Sequence, residues 1–268
     1  MSVKSLTDEE FFDFKGVVFH EVGINLELSK KSLVYNRLLK RLRYCKIDNF
    51  LDYLRLVQMS PKEKEVMLNL ITTNETHFFR ESKHFEILKK IAKKHLRDEV
   101  FRLWSAASSF GAEGYSAAMV LHDIFGDRFE VLGTDVNSEV IEKAKSAIFP
   151  VSMVENIPNS FKKRYCLRGK GEFHGKFTVI NELKKRVDFR VYNLLNTTNS
   201  FGMFDVIFLR NVLFYFDDET KTKIVNNVLK NLKIGGYLFV SLTESLNFLN
   251  IKNLDKMSGS VYKKVVDT

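Results

Sequence analysis

From residue 101 to residue 241, short apolar runs alternate with stretches of helical periodicity, and this alternation leaves few folds open to the chain. Residues 101–104, 129–134, 187–191, 204–209 and 237–241 read as strands; 115–125, 138–147 and 217–233 read as helices. The paired glycines Gly235 and Gly236 suit the stop of the last helix. Strands connected through helices run parallel, because the crossover returns the chain to the end of the sheet where the previous strand began. The expected class is therefore α/β, a doubly wound, mostly parallel sheet. Residues 151–183 interrupt the pattern. There Gly169, Gly171 and Gly175 punctuate short alternations such as Lys176-Phe177-Thr178-Val179-Ile180, as in a small antiparallel β-hairpin insertion.

Ahead of the sheet, residues 7–71 read as helices with short connections, and 85–96 as one more amphipathic helix. This gives an all-α N-terminal domain over 1–75 and a sheet domain over 76–268 carrying the insertion at 151–183. Ser60-Pro61-Lys62-Glu63 is a helix start, with Ser60 as N-cap, Pro61 first in the helix and Glu63 closing a capping box. Residues 28–46 hold seven basic side chains and no acid. Leu28, Tyr35, Leu38, Leu39 and Leu42 share one helical face, with Lys30, Arg37, Lys40 and Arg41 roughly opposite. That basic face is either solvated or a docking surface for an acidic partner such as a negatively charged helix. Nucleic acid fits it poorly, since no base-stacking aromatics interleave with the charges.

The 268 residues suffice for a substantial core, to which most of the 24 phenylalanines belong, and the net charge of +9 favours acidic partners. The N-terminus lacks the apolar stretch of a signal peptide, and no apolar run reaches membrane-spanning length. Cys45 and Cys166 can build no disulfide framework. A soluble, cytoplasmic protein with reduced thiols is expected. His77 and His84, placed on one helix seven residues apart, lack companion ligands, so no metal site is expected.

In a doubly wound sheet, ligands bind at the carboxyl ends of the strands. Those ends carry the loop from Ser105 to Gly114 with Glu113 inside it, then Asp135, Asn193, and finally Arg210 with Asn211. An acid ending the second strand, some way past a glycine loop, suits ribose hydroxyls. The loop lacks the G-x-G-x-x-G fingerprint of a pyrophosphate site. A nucleoside without phosphates, S-adenosylmethionine, fits better. Between the two domains lies Thr72-Thr73-Asn74-Glu75-Thr76-His77-Phe78-Phe79-Arg80-Glu81. Thr72 and Glu75 have capping-box spacing, so a helix is expected to begin here with Thr76 and Arg80 one turn apart on one face.

That decapeptide, together with Trp104-Ser105-Ala106-Ala107, Gly111-Ala112-Glu113-Gly114-Tyr115-Ser116, Gly133-Thr134-Asp135, Asn193-Leu194-Leu195 and the run from Phe204 to Asp217, resembles the CheR family of chemotaxis-receptor glutamate methyltransferases. The resemblance runs in order to about Glu244. It implies a helical receptor-recognition domain, a methyltransferase sheet and a small antiparallel subdomain. It also implies cofactor binding by Asn74, Thr76, Arg80, Glu113, Asp135, Asn193, Leu194, Arg210 and Asn211, with Arg80 and Tyr215 at the reaction centre. Arg80 is open between two roles there, holding the substrate carboxylate or the cofactor's own. Glu244 matches a recurrent family glutamate but could equally cap locally, so it stands outside this set.

The implied partner is the cytoplasmic helical bundle of a chemoreceptor, docked on Arg37, Lys40 and Arg41. A receptor C-terminal tail peptide on the insertion is open. Three positions depart from the family pattern: Ala112 for Glu or Gln, Gly114 for Pro, and Asn137 for Asp. A non-catalytic S-adenosylmethionine-binding sensor or scaffold, and a small-molecule methyltransferase, are the rival expectations.

Overall fold

The computed structural model describes residues 3–95, 99–198, 200–249 and 251–266. Two compact units emerge. One takes in the chain up to Thr73 plus Tyr215–Asp217; the other holds Asn74–Phe214 and the chain from Asp218 onward.

The first unit is built from α1 (Asp8–Val22), α2 (Lys31–Tyr44), α3 (Phe50–Met59) and α4 (Pro61–Ile71). A capping box opens α1: Thr7 Oγ1 accepts from the Glu10 amide at 3.2 Å, and Glu10 Oε2 from the Thr7 amide at 2.8 Å. Phe14 packs edge-on against Phe50 and stacks with Tyr53, among buried Val18, Leu38, Leu42, Val57 and Met67. Ser60 caps α4 as expected, accepting from the Glu63 amide at 3.2 Å. The reciprocal half of that box does not form. The Glu63 carboxylate turns into the unit instead, where Arg41 grips it bidentately at 2.8 and 2.6 Å and Tyr53 Oη donates at 2.8 Å. A charge-assisted pair outweighs one more cap bond.

Glu63 has a consequence for pH. The Arg41 hydrogen bonds, working against burial, hold its carboxyl below the ordinary range. As pH falls, the unfolded chain takes up this proton first, near ~4.3. The stability from this group is therefore complete above that value and is lost as pH drops through the lower folded one. Glu63→Gln should cost about 2 kcal/mol at neutral pH. In urea unfolding the gap to the native chain should close below about pH 4; a gap independent of pH would show that the charge is not what matters.

The second unit opens with α5 (Ser82–Ala92), shorter than the expected 85–96 stretch, whose Leu96 lies outside the described residues. Then come β1 (Phe101–Ser105), α6 (Ala112–Phe125), β2 (Phe129–Asp135) and α7 (Ser138–Ser146). The insertion comprises β3 (Ile148–Pro150), α8 (Asn159–Tyr165), β4 (Cys166–Arg168), β5 (Lys176–Val179) and α9 (Asn181–Lys184). The main sheet resumes with β6 (Val187–Val191), β7 (Phe204–Phe208), α10 (Asp218–Leu229), β8 (Leu232–Phe239), β9 (Leu254–Ser258) and β10 (Val261–Lys264).

Among the described residues seven strands form one sheet in the order β6-β2-β1-β7-β8-β10-β9, parallel from β6 to β8 and antiparallel beyond. The chain winds outward from β1 through β2 to β6, then returns to β7 on the other side. The switch point therefore falls between β1 and β7, where a crevice opens at the strand exits. Three strands of the insertion pair antiparallel in the order β3-β5-β4. The subdomain thus begins at Ile148, slightly before the expected boundary.

Two expectations fail here for clear reasons. The last helix ends at Leu229, and Gly235-Gly236 lies inside β8. Ladder partners step from Phe204 to Val206 on β7 but from Leu232 to Tyr237 on β8. The extra residues bulge out at Gly235, whose φ of +81° few other residues adopt. The helix instead ends against the buried Lys264, whose Nζ donates to the carbonyls of Leu229 at 2.8 Å and Leu232 at 3.0 Å. Nor does a helix begin at Thr72. Thr72 closes α4, and the next helix starts only at Ser82, after two left-handed residues, Phe79 (φ +54°) and Glu81 (φ +56°).

Candidate functional site

The segment from Asn74 to Glu81 makes its hydrogen bonds to groups distant in sequence, which is why it need not be helical. Ser109 Oγ donates to the Asn74 carbonyl at 3.0 Å, and the Phe79 amide donates to Ser116 Oγ at 3.0 Å. Arg80 Nη1 donates to the Glu75 carbonyl at 2.9 Å. Phe78 packs edge-on against Phe149 of the insertion, and Phe79 lies against Phe85 and Phe161. The aromatic pair is therefore structural. Thr76 sits half-buried between these anchors, and His77 stands before α5, not on a helix with His84.

At the β1 exit, Gly111 caps α6 with φ +90°, and a Cβ there would lie 2.9 Å from Phe189 and Ala144. This puts Glu113 in the first turn of α6. Ser105 Oγ donates to Glu113 Oε1 at 2.7 Å, and Arg210 Nη1 to Oε2 at 2.9 Å. Burial pushes the Glu113 carboxyl up, with Arg210 and Ser105 pulling against it. Asp135, ending β2, accepts from the amides of Ser109 at 2.9 Å and Asn137 at 3.0 Å. Burial raises this carboxyl too, opposed by those amides. The departure at Asn137 has a structural use: its Oδ1 caps α7, accepting from the Val140 amide at 3.2 Å.

Beyond β6, Asn193 Oδ1 accepts from the Leu195 amide at 3.0 Å, and Leu194 is buried with its carbonyl bonded to Asn227 Nδ2. Arg210 has a wholly buried side chain. Its Nη2 donates to Glu81 Oε2 at 3.0 Å and to the Arg80 carbonyl, and its guanidinium lies over Phe85 and Phe208. Asn211, left-handed at φ +56°, donates to Glu81 Oε1 at 3.3 Å and to Ser241 Oγ at 2.9 Å. Glu113, Arg210, Asn211 and the Arg80 backbone thus share one network at the switch point. Asp135 and Asn74 meet it through the Ser109 loop.

Two acids outside the expected set are part of this network. Glu81 joins Arg210, Asn211 and Ser241. Burial works to raise its carboxyl, but Arg210 and the hydrogen bonds from Ser241 and Asn211 outweigh it and hold it below the ordinary range. Glu244 accepts the amides of Ser241, Asn211, Val212, Leu213 and Phe214, and burial pushes its carboxyl up against those bonds. Glu81 was visible as the last residue of the decapeptide, whereas Glu244, which follows β8, was signalled only by the family resemblance.

In the first unit, the basic residues expected to dock a partner are mostly engaged. Arg37 donates to the carbonyls of Ile71 and Thr72 and to Thr73 Oγ1, and Arg41 holds Glu63. Both are structural cations. Lys40 is exposed. Tyr215, which belongs to this unit, is half-buried, and its carbonyl accepts from the Asn25 amide at 2.9 Å. Burial pushes the Arg37 guanidinium down from its ordinary value, with Tyr215 opposing it. Cys45 and Cys166 are free thiols. Among the described residues, no group of three His, Cys, Asp or Glu could hold a metal, and no helix is long and apolar enough to cross a membrane.

A doubly wound sheet with acids at the exits of its first two strands, and no phosphate-binding glycine fingerprint, suits a nucleoside ligand. Ser108 Oγ and Arg210 Nε are buried there without hydrogen-bond partners among the described residues, and such groups suit a polar ligand. Residues 74–263 match the CheR methyltransferase SAM binding domain, and residues 9–72 the CheR methyltransferase all-alpha domain. The chain belongs to the CheR methyltransferase family and is an S-adenosylmethionine-dependent methyltransferase.

It is 36% identical over 258 residues to chemotaxis protein methyltransferase 2 of Pseudomonas aeruginosa, covering 94% of this chain and 91% of the relative. To the chemotaxis protein methyltransferase of Escherichia coli it is 38% identical over 251 residues, covering 91% and 87%. The chemotaxis protein methyltransferase of Borreliella burgdorferi is 34% identical over 275 residues, with 97% and 95% covered.

Proposed function

We propose that the enzyme transfers the methyl group of S-adenosylmethionine to the γ-carboxylate of glutamates in the cytoplasmic helices of chemoreceptors. The relatives' shared description as chemotaxis protein methyltransferases supports this reading. So does the state of Arg80. Arg210 is occupied by Glu81 and Glu113, whereas the Arg80 guanidinium has no carboxylate within ion-pair distance among the described residues. A guanidinium with free donors, next to a buried acid network, suits an anionic acceptor.

The cofactor supplies a methyl group already activated by its sulfonium charge. A glutamate acceptor, with an ordinary pKa of ~4.3, is ionised at neutral pH and needs no general base. The protein's work is then alignment and exclusion of water. In this proposal Glu113 takes the cofactor's amino group and Asp135 its ribose hydroxyls. Asn74, Thr76, Asn193, Leu194, Arg210 and Asn211 complete the cofactor's surroundings. Arg80 and Tyr215 donate to the acceptor carboxylate without neutralising the attacking oxygen.

Receptor docking rests on the exposed Lys40, since Arg37 and Arg41 are committed within the helical unit. A receptor tail peptide has a candidate seat on the insertion. There Ile148, Leu167, Phe173 and Phe177 with Arg168, Lys176 and Lys184 line a groove of about 220 Å³, and β4 is an edge strand open to strand addition.

The decisive experiment incubates the protein with methyl-labelled cofactor and a receptor cytoplasmic fragment. Labelled fragment that releases methanol in base is expected. Cofactor binding without transfer would favour a sensor or scaffold, and transfer only to small molecules would overturn the receptor assignment.

A further inference from the structure

Glu81 stands where three left-handed backbone positions gather. Phe79 (φ +54°) and Glu81 (φ +56°) flank Arg80, and Asn211 (φ +56°) faces them from the β7 exit. Non-glycine residues reach this conformation at a cost, and several in one place signal a geometry held by surrounding contacts. The contacts converge on one carboxylate. Oε1 accepts from Ser241 Oγ at 2.8 Å and Asn211 Nδ2 at 3.3 Å; Oε2 accepts from Arg210 Nη2 at 3.0 Å and the Leu242 amide at 3.3 Å. One side chain thus ties the start of α5 to the exits of β7 and β8. The buried Arg210 continues the chain of contacts in two directions, to Glu113 Oε2 and to the Arg80 carbonyl.

We infer that Glu81 is a positioning residue for methyl transfer: acting through Arg210, it fixes both the Glu113 carboxylate and the backbone from which the Arg80 side chain springs. This rests on the roles proposed above for Glu113 and Arg80. Arg210 sits between two acids, and its placement depends on both. With Glu81 neutral, Arg210 would be drawn toward Glu113 alone and would loosen its hold on the Arg80 carbonyl. A neutral amide would also turn a donor toward Arg210 or Asn211, which are themselves donors. His84 adds a boundary to this network. Its Nδ1 lies 3.2 Å from Glu81 Oε2 and its Nε2 2.7 Å from Ser260 Oγ, while burial lowers its pKa to about 4. The imidazole therefore stays neutral and leaves Arg210 as the cation that Glu81 answers.

Charge and shape make opposite predictions for two variants. Glu81→Gln keeps the outline and removes the charge. Glu81→Asp keeps the charge, shortens the arm by one methylene, and suits a left-handed backbone. Binding of S-adenosylhomocysteine, measured by calorimetry, needs no acceptor and so reports on Glu113 whatever the methyl acceptor is. The expected result is a Kd raised about tenfold or more in Glu81→Gln, the loss of one charge-assisted contact, and about threefold or less in Glu81→Asp.

The same order is expected in kcat on a receptor fragment at saturating cofactor, reporting on Arg80. A packing role predicts the reverse order, with Gln nearer the native protein than Asp, and that order in the binding assay would overturn the inference. Native binding in Glu81→Gln would overturn it as well. Failure of the native enzyme to methylate the fragment would instead count against the proposed function and leave the binding comparison standing.

Discussion

Arg210→Met is expected to destabilise the second unit by about 3–5 kcal/mol, the usual range for stranding a buried charge. The side chain is wholly enclosed, and two carboxylates depend on it. Removing the cation leaves Glu81 and Glu113 out of water without their counter-charge, and Glu81 already pushes the Glu113 carboxyl upward. Urea unfolding at neutral pH should show the loss directly. Lowering the pH should shrink it, because protonation of the stranded acids relieves the penalty.

Adding Glu81→Gln to Arg210→Met should restore part of the stability, since one of the two uncompensated charges is gone. Strictly additive losses would mean that the network is not coupled as its distances imply. Binding of S-adenosylhomocysteine should fall in parallel, because Glu113 loses the partner that holds Oε2 in place.

Arg80→Ala is expected to act on rate and hardly on fold. Among the described residues its guanidinium makes one hydrogen bond, to the Glu75 carbonyl, while the Arg80 backbone is held independently through Arg210. Stability should therefore change by under about 1 kcal/mol. Turnover on a receptor fragment at saturating cofactor should fall about a hundredfold or more, the scale of one lost electrostatic group at a reacting centre. The Kd for S-adenosylhomocysteine should stay within about threefold, which separates contact with the acceptor from contact with the cofactor's own carboxylate. Normal turnover would remove Arg80 from the reaction centre. A large rise in Kd with unchanged kcat would move it to the cofactor.

The strand exits were legible because most of the strand-forming runs give way to polar residues, and the carboxyl ends of a doubly wound sheet are where its ligands bind. Asp135, Arg210 and Asn211 follow from that pattern alone. Local signals failed where one pattern serves two structures. Gly235-Gly236 announces a positive φ, and a helix stop and a strand bulge both require one. Thr72 and Glu75 have the spacing of a cap, yet the segment's partners, Ser109 and Ser116, lie more than thirty residues on and no local window includes them. Sequence separation also hid the roles of Arg37, whose partners lie 34 to 36 residues on, and Arg41, whose partner lies 22 residues on. A helical wheel places them on a polar face, but the carbonyls and carboxylate they meet belong to another helix. The hairpin of β9 and β10 went unread because its strands are short and mostly polar.

The loop after β7 is fastened by a method that leaves its chemistry open. Glu244 holds the amides of Asn211, Val212, Leu213 and Phe214, and amides are present whichever side chains these positions carry. The path of the loop is therefore indifferent to its lettering at Val212 and at the exposed Phe214. A lineage could rewrite those two positions to meet a different acceptor while the backbone beneath them stayed in place.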